Sequence, residues 1–149
     1  MPTGEPGLVV LFGSGETAPS SGKTHEFVAQ HLGVQPEIAI LETPAGFEPN
    51  SPQVAGKIEN YLSKRLQNYN PQVDILPARK KGSAHSPDDP QIVRPILKAN
   101  WIFLGPGSPT YAARQLRDSL ALDMIAARHR LGATLMLASS PTLAFSAYT

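Results

Sequence analysis

Trp101-Ile102-Phe103-Leu104-Gly105-Pro106-Gly107-Ser108-Pro109-Thr110 passes from an uninterrupted apolar run into a turn rich in glycine and proline. A run of this kind, four residues with no polar alternation, suits a strand buried on both faces. The turn then leads into a helical pattern. Four other stretches repeat the strand form. Leu8–Phe12 closes at Gly13, Glu37–Leu41 ends at Glu42, and Val73–Leu76 is a weaker, alternating version. Thr134–Ala138 ends at the pair Ser139-Ser140.

Helical patterns separate these runs. One spans about Lys23–Leu32 and stops at Gly33. From Gln53, the residues Val54, Ile58, Tyr61, Leu62, Leu66 and Tyr69 recur at helical spacing, with Lys57, Glu59, Lys64 and Arg65 opposite. Ser86-Pro87-Asp88-Asp89 offers acidic capping before Ile92, Val93, Ile96 and Leu97. A single helical stretch is expected from Tyr111 to Leu131, closed by Gly132, and a fifth helix begins after the serine pair. Alternation of this kind predicts one α/β domain, a three-layer sandwich around a mostly parallel sheet. Sites in such sheets lie at the C-terminal ends of the strands, which directs attention to the loops 13–22, 42–52, 105–110 and 139–142.

Composition narrows the function. The chain has 149 residues, of which 41% are hydrophobic and 17% charged, with a net charge of +1. Such balance argues against nucleic-acid or membrane-surface binding driven by bulk charge. There is no cysteine, so disulfides, thiolate metal sites and thiol nucleophiles are excluded. No apolar run approaches the ~18 residues of a membrane span, and the N-terminus has no basic residue before Leu8–Phe12, so a cytoplasmic location is expected. The four histidines, His25, His31, His85 and His129, lack ligand spacing, and neither a metal nor a cofactor is expected. The basic runs Arg79-Lys80-Lys81 and Arg128-His129-Arg130 read as solvated surface.

Each loop offers its own chemistry. Gly22-Lys23-Thr24 invites comparison with a phosphate-binding loop, but Thr17 stands where that motif needs its first glycine. Gly13 and Gly15 would instead let backbone approach a small substrate, with Ser14 and Glu16 beside it. Glu42 is read as structural, bonding loop amides, rather than catalytic. Gly105 and Gly107 allow backbone N–H groups to point at a ligand, as an oxyanion hole requires. Ser139-Ser140-Pro141-Thr142 has the layout of a nucleophile elbow, strand then serine then helix. It also reads as a capping serine with Pro141 at the first helical position.

These turns, taken in order, carry a resemblance. The chain resembles the serine dipeptidase E and cyanophycinase family of the class I glutamine amidotransferase-like superfamily. Gly13-Ser14-Gly15-Glu16 is similar to that family's first loop, and Ala39–Ala45 to its second strand and turn. Phe103–Pro109 is similar to its strand ending in a glycine turn, and Ala138–Thr142 to its nucleophile turn. The resemblance implies a flavodoxin-like sandwich that cleaves peptide or isopeptide-type bonds next to aspartyl residues. It makes Ser139 the nucleophile, with Ser140 the alternative, and draws oxyanion and substrate contacts from Gly105, Gly107, Ser108 and the first loop. Pro141 has no N–H to donate, so Ser139, followed by the N–H of Ser140, is the better choice.

In that family a histidine after the elbow activates the serine, and none follows Ser140 here. The C-terminal part of the layout is therefore expected to be missing and this chain to be inactive or very weak. Its uncharged end is expected to favour association with further copies. The reading from a different class is a non-catalytic α/β domain that binds a small molecule.

Overall fold

The five strands are short because each needs only to cross one parallel sheet. They are β1 (Val9–Phe12), β2 (Glu37–Leu41), β3 (Gln72–Leu76), β4 (Trp101–Leu104) and β5 (Thr134–Ala138). The computed structural model describes residues 5–12, 22–105 and 108–138. The strand order is β1-β5-β4-β2-β3, and every pairing is parallel.

Helices lie on both faces. α1 (Gly22–Leu32) follows β1, and α2 (Ser51–Arg65) follows β2. Val28 and Ala29 of α1 pack with Ile58 and Leu62 of α2 against Ile38, Ile40, Trp101, Phe103 and Met136. The other face carries α3 (Pro90–Val93), α4 (Pro109–Leu116) and α5 (Leu120–Arg130). There Val93, Ile96, Leu116 and Ile125 cover Ala39, Leu41, Ile102, Leu104, Leu135 and Leu137. Alternate residues of β4 thus serve opposite cores, so no position of that strand is free to be polar. Burying a side chain of this size contributes about 1.5–3 kcal/mol.

Connections that run toward β3 place their helices on the first face, and those that run toward β1 place theirs on the second. A single crossover hand requires that pattern. The direction of travel reverses between β2 and β4, so the helices that follow these neighbours lie on opposite faces. The C-terminal edge at such a switch point is where sites collect in sheets of this kind.

The expected helix from Tyr111 to Leu131 is two helices. The chain leaves α4 at Arg117, passes through a left-handed Asp118 (φ 54°), and restarts at Ser119. The Ser119 hydroxyl accepts from the Leu122 amide at 3.0 Å, and the Asp88 carboxylate accepts from the Leu120 amide at 3.0 Å. Two caps on one helix start offset the cost of breaking the helix. The helix expected after Ser86–Asp89 is also shorter. Asp89 caps it as read, accepting from the Gln91 amide, but after Val93 the chain tightens into a 3-10 turn over Arg94–Lys98. Pro95 lacks the N–H that would continue an α-helix.

Replacing Ser119 with Ala should lower stability by about 1 kcal/mol. An unchanged urea midpoint would show that the capping bond does not hold α5 in place.

Candidate active site

Because the sheet is parallel, all strand ends that lead into loops lie on one edge. The register aligns them. Leu41 is level with Leu104, and Leu104 with Leu137. Phe12 is level with Ala138. Glu42 and Gly105, each one residue further on, therefore leave the sheet at the height of Ala138, and Ser139 is the next residue in sequence. Of the residues singled out from the sequence, Gly13, Ser14, Gly15, Glu16, Gly107, Ser139 and Ser140 lie outside the described residues. Gly105 and Ser108 lie within them.

Gly105 is buried and lines a small cavity with Glu42, Ser51, Ala55 and Ile58. A Cβ at this position would stand 3.2 Å from Ile58 Cδ1, so the strand end and α2 fit closely. Ser108 caps α4, its Oγ accepting from the Tyr111 amide at 3.1 Å. Its own amide donates to the Pro44 carbonyl at 2.9 Å. Its amide and its hydroxyl oxygen are thus both engaged within the protein.

Glu42 has the structural engagement read from the sequence, with different partners. Its side chain is 3% exposed and accepts from Ser51 Oγ and from Arg79 Nε, each at 2.8 Å. Side-chain groups, rather than the expected loop amides, hold it. A buried carboxylate needs such partners because removal from water costs several kcal/mol. Arg79 is therefore no solvated surface residue, though its side chain remains 27% exposed. Lys81 of that basic run is also engaged, its Nζ donating to the Arg117 carbonyl, whereas Lys80 is exposed as read. In the other run, Arg128 donates twice to the Ala99 carbonyl, and His129 Nε2 meets the Gly7 carbonyl at 3.0 Å. Long side chains at helix ends reach exposed carbonyls in this way.

Around Glu42 and Arg79 the loops after β2, β3 and β4 lock together. Thr43 Oγ1 donates to the Ala78 carbonyl, and Tyr111 Oη donates to the Arg79 carbonyl at 2.8 Å. Burial pushes the Tyr111 hydroxyl above its ordinary pKa of 10.0, which keeps it a donor. Gly46 is pressed on the same segment. A Cβ there would stand 2.5 Å from the Arg79 carbonyl oxygen, which only glycine avoids. Phe47, next along, packs against Tyr111 with the rings tilted and their centroids 5.1 Å apart. Arg79, Ser51, Phe47 and Tyr111 were not singled out by sequence reading. The loop after β3 leaves the sheet on the same edge as the other four, and that position was the available signal for Arg79.

Three of the four histidines lie apart from this network. His25 is buried against Trp101 and Tyr61 in the α1–α2 core. His31 lines a groove at the opposite edge with Asn100 and Arg128. His85 is in the loop after β3, its carbonyl accepting from the Arg79 amide at 2.8 Å and from the Lys80 amide at 3.0 Å. Among the described residues no group of three or more His, Asp or Glu is arranged to hold a metal. No helix among them is long and apolar enough to cross a membrane.

With this geometry in place, comparison with solved structures gives a consistent answer. A peptidase from an acI-B1 actinobacterium superimposes with a TM-score of 0.75 at 22% identity. A protein assigned as Peptidase E from Listeria monocytogenes EGD-e gives 0.59 at 14%. The fold is that of these peptidases. Each match covers 91% of this chain, which spans 55% and 59% of the two neighbours' lengths. No family model and no curated protein matches the sequence.

Two measurements check the network. Arg79→Met should cost about 2 kcal/mol, less than the roughly 3–5 kcal/mol of a fully buried broken pair because Arg79 is partly solvated. Adding Glu42→Gln should recover part of that loss, and strictly additive urea midpoints would mean the two groups are not coupled. The second concerns Tyr111. Its raised pKa favours the protonated fold, so stability is retained below pH 10 and lost as pH rises beyond it. Tyr111→Phe should not show this alkaline loss, and identical wild-type and variant profiles would contradict the assignment.

Proposed function

We propose that this chain is the nucleophile-bearing part of a serine-type peptidase or amidohydrolase fold of the dipeptidase E type. The observation that carries the reading is the alignment of strand ends. Ser139 follows directly on β5, the immediate neighbour of β4, and Gly105 leaves β4 at the same height as Ala138. A serine at a central strand end beside a glycine turn is the layout acyl transfer needs.

In the proposed reaction Ser139 Oγ attacks the carbonyl carbon of a peptide or amide, and its proton passes to a base. The base returns that proton to the departing amine, and water then releases the acyl group from the serine. Arg79, held on the same edge by Glu42, is the cation available to an acidic substrate. A serine hydroxyl is a poor nucleophile without a base. His25 packs on Trp101 at the start of β4, and His31 and His129 lie at the opposite edge of the sheet, so none of these three is a base for Ser139 and slow reaction is expected.

A fluorophosphonate probe tests both halves of this reading. Slow labelling should be lost in Ser139→Ala and retained in Ser140→Ala, and added imidazole should accelerate it by substituting for the base. Labelling indifferent to Ser139 and to imidazole would favour a non-catalytic small-molecule-binding domain. Rapid labelling at Ser139 without imidazole would show that a base is already present.

A further inference from the structure

Phe47 leaves 53% of its surface in water, yet it is rigidly mounted. The turn that carries it is closed by the bonds Ala45 N–H to Glu42 O, Gly46 N–H to Thr43 O, and Glu48 N–H to Ala45 O, all between 2.9 and 3.0 Å. Gly46 is pinned against the Arg79 backbone, and the Phe47 ring meets Tyr111 at 5.1 Å with a 58° tilt. Tyr111 is itself fixed at both ends, its amide to Ser108 Oγ and its hydroxyl to the Arg79 carbonyl. The two rings therefore hold their relative positions without a ligand.

The location is as informative as the rigidity. Phe47 follows β2 and Tyr111 opens the helix after β4, so the pair sits where the loops of the switch-point strands meet. Other exposed apolar residues lie elsewhere, with Val34 and Leu131 lining the groove at the opposite edge of the sheet. A half-exposed aromatic ring on a fixed mount contributes little to the core. It offers a ligand a preformed apolar surface at low entropic cost.

The geometry points to the Phe47–Tyr111 pair as a subsite for an aromatic side chain of the ligand, set beside Ser108 at the start of α4. The inference rests on the hydrolase reading for the role of that side chain, which would flank the scissile amide. Its physical content is a stacking preference that exists without turnover.

Titration of the isotope-labelled chain with N-acetyl-L-phenylalaninamide and N-acetyl-L-alaninamide tests it directly. The phenylalanine compound should bind up to about tenfold more tightly, the range expected for one stacked pair. Its shift changes should centre on Gly46, Phe47 and Tyr111. Phe47→Ala should abolish the preference, Phe47→Tyr should keep it, and Leu131→Ala should leave it unchanged. Equal binding of the two amides, no binding of either, shifts centred elsewhere, or a preference that survives Phe47→Ala would each overturn the subsite. The two readings fail separately. Loss of Ser139-dependent labelling with the preference intact removes the hydrolase alone, and labelling with no preference removes the subsite alone.

Discussion

Strand β4 is hydrogen-bonded to β2 on one side and β5 on the other, and it is buried above and below. A parallel strand in that position must be apolar throughout, because neither face offers water to a polar side chain. Trp101 and Phe103 commit it to one layer of helices, Ile102 and Leu104 to the other. Once both layers are committed, the only place where polar chemistry can collect is the rim. Glu42, Ser51, Arg79, Ser108 and Tyr111 all do so, each just past the end of a strand or at the start of a helix.

The rim is held by charge rather than by apolar packing. Glu42 has left water almost completely and has exchanged it for one guanidinium N–H and one hydroxyl. Each partner comes from a different segment, so the carboxylate ties the exit of β2 to the start of α2 and to the exit of β3. The Tyr111 hydroxyl then ties the exit of β3 to the start of α4. An apolar contact would give similar cohesion with less directional control. Here the bond geometry also fixes Ser108 at the start of α4 and the place where Phe47 is presented.

Local sequence carried the strands well, because each is a run of adjacent apolar residues whose meaning does not depend on distant partners. Glu37–Leu41, Trp101–Leu104 and Thr134–Ala138 have the expected boundaries. The helix break at Arg117–Ser119 was less visible, since apolar spacing continues across it and the capping signal is a single serine. Arg79 was hidden for a different reason. In sequence it is the first of three basic residues, and a basic run ordinarily faces solvent. Only the folded sheet brings it to Glu42, 37 positions earlier. Glu42 could be read as structural from its place after a buried strand, but its partners could not. Ser139 and Ser140, on which the catalytic reading turns, remain as legible as their pattern alone makes them.

The placement of β1 has a consequence for how the chain acquires this form. β1 precedes the other four strands, yet among the described residues its strand partner is β5, and Val9 lies level with Leu135. The pairings among β2, β3 and β4 close shorter stretches of chain and carry less loop entropy. A ribosome would thus release the β2–β4 unit as an early nucleus while β1 waits, its edge unsatisfied, for β5 to emerge. Long-range parallel pairing of this kind is slow and leaves an edge open to the wrong partner in the interval. Moving β1 to follow β5 in a permuted chain would make that pairing local.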